Sequence, residues 1–135
     1  FDMGTDILLG TDNTPANGPL LLIPGSHRHF IACAGATPEN HYRQSLRAQR
    51  FGTPDRRFVN VLARRVGITA VTGPAGAATV FDCNTLHASP GNLSPWARVN
   101  VFIVYNSVEN RLGAPFAAPA PRPEFLGARA HCERL

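Results

Sequence analysis

The chain has 135 residues, thirteen basic and nine acidic, a formal net charge of +4 and 44% hydrophobic residues, enough for a single domain with its own core but not for two. Every basic residue is arginine, so the charge excess reads as compositional bias; Arg28, Arg43, Arg47, Arg50, Arg56, Arg57, Arg64 and Arg65 are scattered over turns and helices as a solvated face, without the clustering of a nucleic-acid footprint. No apolar run approaches the ~20 residues that cross a bilayer, and three cysteines without paired spacing, Cys33, Cys83 and Cys132, fit a reducing cytoplasm better than a disulfide framework. A soluble, cytoplasmic protein with neither nucleic-acid nor membrane partners is therefore expected.

The chain opens on Phe1 without an initiator Met or an export pattern, which predicts a cut rather than a processed N-terminus. Short strands are expected over residues 7–10 and 20–23, joined by the turn formers of 11–19. Thr37, Pro38 and Glu39 supply a cap, a first-turn proline and an early acid, so a helix is predicted over 38–49. Residues 52–55 break it, and Phe58, Val61, Leu62, Arg65 and Val66 then recur at helical spacing up to Gly67. A strand at 68–71, a turn at 73–76, a strand over 77–86, a loop over 87–97 and a strand over 98–107 follow. The Pro- and Ala-rich tail at 113–123 is expected to lack regular structure. There are no internal repeats.

Chemistry concentrates in FDCNTLHASPGNLSPWARVNVFIVYN. His87 ends one predicted strand and Arg98 opens the next, with turn-forming Ser89, Pro90, Gly91 and Asn92 between them. If the two strands are antiparallel neighbours, His87 and Arg98 lie at one end of the sheet. Alternation places Phe81, Cys83, Thr85 and His87 on one face of the first strand and Arg98, Asn100, Phe102 and Val104 on one face of the second. Val99, Val101, Ile103 and Tyr105 fall on an opposite, apolar face, expected to be covered. A face with His, Arg, Asn and two Phe makes a poor core but a good pocket wall. One histidine near one arginine suits a non-haem Fe(II) oxygenase, whose iron is held on one side by two His and a carboxylate, and whose 2-oxoglutarate cosubstrate needs a planar, bidentate cation for its far carboxylate. A hydrogen-bonded structural histidine fits the same spacing.

NGPLLLIPGSH, together with the His87 to Arg98 spacing, resembles the phytanoyl-CoA dioxygenase superfamily of Fe(II)/2-oxoglutarate oxygenases. Within it, TPENHYRQSLRAQRFGTPD, FDCNTLHASPGNLSPWARVNVFIVYNSVEN and RPEFLGAR are similar to the ectoine-hydroxylating branch. The resemblance runs from about residue 7 to 129. It implies a mainly β fold with flanking helices, a double-stranded β-helix (jelly roll, cupin-like) that is incomplete here. It also implies conversion of ectoine to 5-hydroxyectoine with Fe(II), O2 and decarboxylation of 2-oxoglutarate. Carried onto this chain, His87 matches the distal iron ligand, and Arg98, assisted by Ser89, matches the group that holds the 2-oxoglutarate carboxylate. Phe81 and Phe102 match aromatics packing on the ectoine ring, and Asn100 shares their strand face. The full-length protein is expected to be a homodimer.

The superfamily supplies its first histidine and its carboxylate as His-x-Asp upstream of the region present here, and this chain has no His-x-Asp. The 135 residues are therefore expected to be the C-terminal half of one dioxygenase domain, inactive alone because a single ligand cannot hold Fe(II). Other expectations compete. One is a different oxygenase of the superfamily acting on another small substrate, and another is a non-catalytic jelly-roll module that binds an anion through Arg98. His27 lies in the PGSH turn and is expected to close a strand rather than bind metal; a cluster of His27, His29 and Cys33 is the weaker alternative, lacking a fourth ligand. His41 and His131 are read as solvent-facing, Cys83 as core packing, and Trp96 as a lid on the loop.

Overall fold

In the computed structural model, residues 3–33, 53–107, 109, 113 and 114 are described. The predicted helix over 38–49, with His41, and almost all of the tail, with His131, fall outside them. The chain divides into two compact units, Phe1–Phe30 with Val59–Ser107 and Ile31–Phe58 with Val108–Leu135.

The first unit carries six strands in two antiparallel sheets: β1 (Met3–Leu9), β2 (Leu20–Leu22), β3 (Thr69–Val71), β4 (Ala78–Asp82), β5 (His87–Ala88) and β6 (Asn100–Asn106). One sheet has the order β4-β1-β6 and the other β3-β2-β5. The chain passes between the sheets at β1 to β2, β3 to β4, β4 to β5 and β5 to β6. β1 is longer than the sequence suggests, starting before the apolar run at Ile7. It is the central strand of its sheet, and ladders on both sides extend it through Gly4 and Asp6, residues with little strand signal of their own.

The core lies between the sheets. Ile7, Leu9 and Phe81 project from the first sheet, Leu20 and Val71 from the second, and Leu22 and Ala77 pack against them. Ile7 is fully buried, and burying such a side chain stabilises the fold by about 1.5–3 kcal/mol. The β1 register assigns the faces: Thr5, Ile7 and Leu9 lie opposite Phe81, Thr79, Val104, Phe102 and Asn100, so these residues share the inward face. Leu8, Val80, Val101, Ile103 and Tyr105 share the outward face.

Two expectations need correction here. The strands at 77–86 and 98–107 are not neighbours, because β1 lies between them and pairs antiparallel with both; they therefore run parallel to each other. The first of them is also not continuous. Asp82 turns the chain by accepting the Asn84 N–H on Oδ1 at 2.8 Å and the Thr85 N–H on its carbonyl at 2.9 Å. The chain re-forms as β5 in the other sheet, so Cys83 and Thr85 do not line up with Phe81 on one strand face. Cys83 sits in the turn, half-buried, and burial, then the Asp82 carboxylate, raises its thiol pKa; that keeps it protonated and unreactive.

Helix α1 (Arg56–Val66) matches the predicted second helix. Asp55 Oδ1 caps it by accepting the Arg57 N–H at 2.8 Å. At its end the Gly67 N–H donates to Ala63 O at 2.9 Å, and Arg64 and Arg65 in the last turn complement the helix dipole. Leu62 is the residue of its apolar stripe that is buried, while Phe58, Val61 and Val66 are exposed. In the second unit, Asp55 donates its N–H to Ala32 O at 3.3 Å and Cys33 forms an isolated bridge with Pro54.

The face of Val99, Val101, Ile103 and Tyr105, expected to be covered, is 43–52% exposed. With Leu8 and Val80 it forms an apolar outer surface on a sheet whose edge strands are β4 and β6. Exposed apolar sheet faces and open edges promote association. The 135-residue polypeptide expressed alone is therefore expected to sediment as aggregate and to melt without a cooperative transition. A soluble monomer with a sharp circular-dichroism melt would contradict this.

Candidate functional site

β5 is short, and its position is set by contacts rather than by propensity. His87 pairs with Leu22 and Ala88 with Leu21. The preceding residue, Leu86, is held twice: its N–H donates to Ser26 Oγ at 2.8 Å, and its carbonyl accepts the Ile23 N–H at 3.0 Å. His87 itself is exposed. Its Nδ1 lies 2.7 Å from Thr85 O. A carbonyl can only accept, so Nδ1 is the donor and the neutral ring keeps its lone pair on Nε2. This arrangement, one ring nitrogen tied to a backbone carbonyl and the other without a partner among the described residues, is the one that metal-binding histidines use. The ring also meets Phe81 edge-on, with centroids 5.7 Å apart.

Arg98 lies just before β6, not within it. Its backbone is pinned on both sides by Thr11, whose hydroxyl donates to Ala97 O at 3.3 Å and accepts the Val99 N–H at 3.0 Å. Val99 O in turn accepts the Gly10 N–H at 2.8 Å. The guanidinium Nη1 donates to Gly18 O and to Ser89 Oγ, the latter at 3.3 Å. Ser89 follows His87 by two residues, so this contact brings the histidine's strand to the arginine. Both contacts use Nη1, and a carboxylate would engage the other donors of the fork.

The loop between them is tightly built. Asn92 Oδ1 accepts the N–H and hydroxyl of Ser94, its Nδ2 donates to Trp96 O, and the Leu93 N–H reaches Ala16 O. Gly18, at φ 76°, faces this loop so closely that a Cβ would come within 2.7 Å of Pro90 O. A side chain at Gly18 would therefore displace both the loop and the carbonyl that supports Arg98. Trp96 is largely exposed on it.

Phe81, Phe102 and Asn100 share the inward sheet face, on both sides of β1. Phe81 is buried, whereas Phe102 is 58% exposed. Asn100 is half-buried, and its Oδ1 is buried with no hydrogen-bond partner among the described residues. A buried acceptor left unpaired costs roughly 1–3 kcal/mol.

Fit to an iron ion is partial. The open Nε2 of His87 is a suitable donor, yet no group of three or more His, Cys, Asp or Glu that could hold a metal assembles among the described residues. That includes the alternative at His27, His29 and Cys33, whose side chains are exposed. A His-x-Glu tripeptide, His131-Cys132-Glu133, does occur, downstream of Arg98 and outside the described residues. No described helix is long and apolar enough to cross a membrane. Sequence reasoning missed Thr11, Gly18 and Ser26. The alternation and spacing that single out His87 and Arg98 carry no signal for the distant residues that hold their backbones.

The phytanoyl-CoA dioxygenase (PhyH) family matches residues 7–100. An ectoine dioxygenase of Stutzerimonas stutzeri strain A1501 is 54% identical over 128 residues, which span 95% of this chain and 42% of that protein. One from Nocardia farcinica strain IFM 10152 is 56% identical over 119 residues, covering 88% and 40%. Among solved structures, EctD from S. alaskensis with 2-oxoglutarate and 5-hydroxyectoine superposes with a TM-score of 0.76 at 42% identity, covering 94% of this chain and 39% of the other. The same protein with bound Fe gives a TM-score of 0.68 at 39% identity, covering 92% and 37%. The chain thus spans about two-fifths of the length of the relatives it matches.

Proposed function

The chain belongs to the phytanoyl-CoA dioxygenase family, and from that membership we propose that it is the C-terminal part of an Fe(II)- and 2-oxoglutarate-dependent dioxygenase that hydroxylates ectoine to 5-hydroxyectoine. The observation that carries this reading is the His87, Ser89 and Arg98 group. It sets an imidazole with an open Nε2 two residues from the serine that touches the arginine fork. The two three-stranded sheets, with a chain that passes repeatedly between them, are read as part of a jelly roll.

In this reading His87 is one iron ligand, and the remaining two, a His-x-Asp pair, come from the rest of the longer protein. Bound iron supplies O2 activation coupled to decarboxylation of 2-oxoglutarate to succinate and CO2. The chain's own residues bind and orient. Arg98, held by Gly18 O and Ser89, presents its fork to the far carboxylate of the cosubstrate. Phe102, exposed on the inward face, offers apolar surface to the ectoine ring, with Phe81 backing it from the core and Asn100 on the same face.

The test uses the full-length protein with Fe(II), 2-oxoglutarate and O2. Ectoine is expected to stimulate succinate release and to yield 5-hydroxyectoine in equal amount; no stimulation by ectoine would sink the substrate assignment. Phe102→Ala is expected to weaken apparent ectoine affinity about tenfold, equivalent to ~1.4 kcal/mol of lost apolar contact, with 2-oxoglutarate affinity nearly unchanged. Equal losses for both ligands would place Phe102 outside the ectoine contact.

A further inference from the structure

Of the PGSH turn, it is the serine rather than the histidine that is built into the fold. Ser26 is 1% exposed, whereas His27 is exposed. A hydroxyl this deeply buried needs a partner, and Ser26 Oγ has one in the Leu86 N–H at 2.8 Å. The same turn also binds the other polar group of that residue, since Ile23 donates its N–H to Leu86 O at 3.0 Å. Both backbone groups of Leu86 are therefore committed to residues 23–26. The turn itself is firmly set. Pro24 fixes its own φ, Gly25 takes the left-handed conformation at φ 75°, the Ser26 N–H donates to Ile23 O at 3.2 Å, and Ser26 O accepts the His29 N–H at 3.0 Å.

His87 is the next residue after Leu86. Its ring is oriented by Thr85 O, but that contact is local and turns with the strand; it fixes the ring relative to its own backbone only. The anchors that fix this backbone to a distant part of the fold are the Leu22 register, the Ile23 N–H on Leu86 O and the Ser26 grip on the Leu86 N–H, and of these only the last is made by a side chain. Metal ligands must be held to within about 0.5 Å of productive geometry. We propose that Ser26 is a positioning residue for His87, with its buried hydroxyl holding the Leu86 peptide so that the imidazole Nε2 stays where the metal needs it. This inference rests on the reading of His87 as an iron ligand.

The experiment compares full-length parent, Ser26→Ala, Ser26→Cys and His87→Ala by two readouts: Fe(II) affinity from chelator competition, and the visible absorption bands of the Co(II)-loaded protein. Ser26→Ala is expected to weaken Fe(II) binding about tenfold to a hundredfold, the range for losing a group that supports a metal ligand, and to alter the Co(II) bands. Ser26→Cys keeps the volume and offers a poorer acceptor, so it is expected to fall between Ala and the parent. A folded Ser26→Ala protein with parental Fe(II) affinity and parental Co(II) bands would overturn the proposal, even if it melted at lower temperature, because a merely structural serine moves only the melt. If Ser26→Ala does not fold, Ser26→Cys decides: unchanged affinity and bands overturn the proposal. His87→Ala separates the two levels. If it binds Fe(II) as the parent does, the iron-ligand reading fails and takes the proposal with it; if it loses Fe(II) while the Ser26 variants do not, the serine proposal alone fails.

Discussion

Replacing His87 by Ala in the full-length protein is expected to abolish both Fe(II) binding and ectoine-dependent succinate release. The residue is exposed, its Nδ1 is committed to Thr85 O, and Nε2 is open, so the substitution removes a ligand atom without opening a hole in the core. The two ligands left in the proposed triad give a site of lower affinity and without the three-ligand, one-sided geometry that keeps positions open for cosubstrate and O2. The loss should therefore exceed the roughly 10- to 100-fold penalty that changes around a metal ligand bring. His27→Ala is the control. That side chain is exposed on the neighbouring turn, and a surface substitution of this kind stays within about 0.5 kcal/mol of the parent in stability and should keep its iron. Iron content by metal analysis and succinate release measured together decide the matter. His87→Ala protein that retained stoichiometric iron would remove His87 from the metal site.

The closeness of Arg98 to the segment that carries His87 is legible in the sequence only through the turn-rich loop of fixed length between them; the shared strand face expected from period-two alternation is not formed, because His87 lies in the second sheet and Arg98 precedes β6. Ser89 lies inside that loop, but its contact with Arg98 is implied only by the family resemblance, since nothing in the spacing itself selects Ser89. The sheet order is not legible in this way. β1 enters between β4 and β6 through pairings seventy or more residues apart in the chain, and nothing in the local pattern of either partner reveals what lies beside it. The break at Cys83 is hidden for a different reason. Val80, Phe81 and Leu86 read as one apolar strand, and Asp82, by taking the Asn84 N–H on its side chain and the Thr85 N–H on its carbonyl, turns the segment from one sheet to the other. Its effect is nonetheless productive: because β5 lies in the second sheet, His87 comes to pair with Leu22, beside the turn that holds Leu86. The predicted neighbour relationship was mistaken, yet the turn that broke it also brings Phe81 and His87 into edge-to-face contact.

Arg98→Lys is expected to act on the cosubstrate and to spare the metal. Lysine keeps the positive charge, but it replaces a planar fork of five donors by a single ammonium. Arg98 spends Nη1 on Gly18 O and Ser89 Oγ, which orients the guanidinium plane; an ammonium that satisfied those acceptors would have to serve the carboxylate from the same nitrogen. The loss of one charge-assisted hydrogen bond is worth roughly 1.5–3 kcal/mol, so 2-oxoglutarate affinity should fall about tenfold to a hundredfold. Fe(II) affinity in the absence of 2-oxoglutarate should stay at the parental value, since Arg98 is not a ligand and the backbone around it is pinned by Thr11 whatever the side chain. Titration with 2-oxoglutarate, read by succinate release at saturating ectoine, and Fe(II) competition without cosubstrate test the two halves separately. Parental 2-oxoglutarate affinity in Arg98→Lys would show that the carboxylate is held elsewhere, and a parallel loss of Fe(II) would show that Arg98 supports the fold around His87 rather than the cosubstrate.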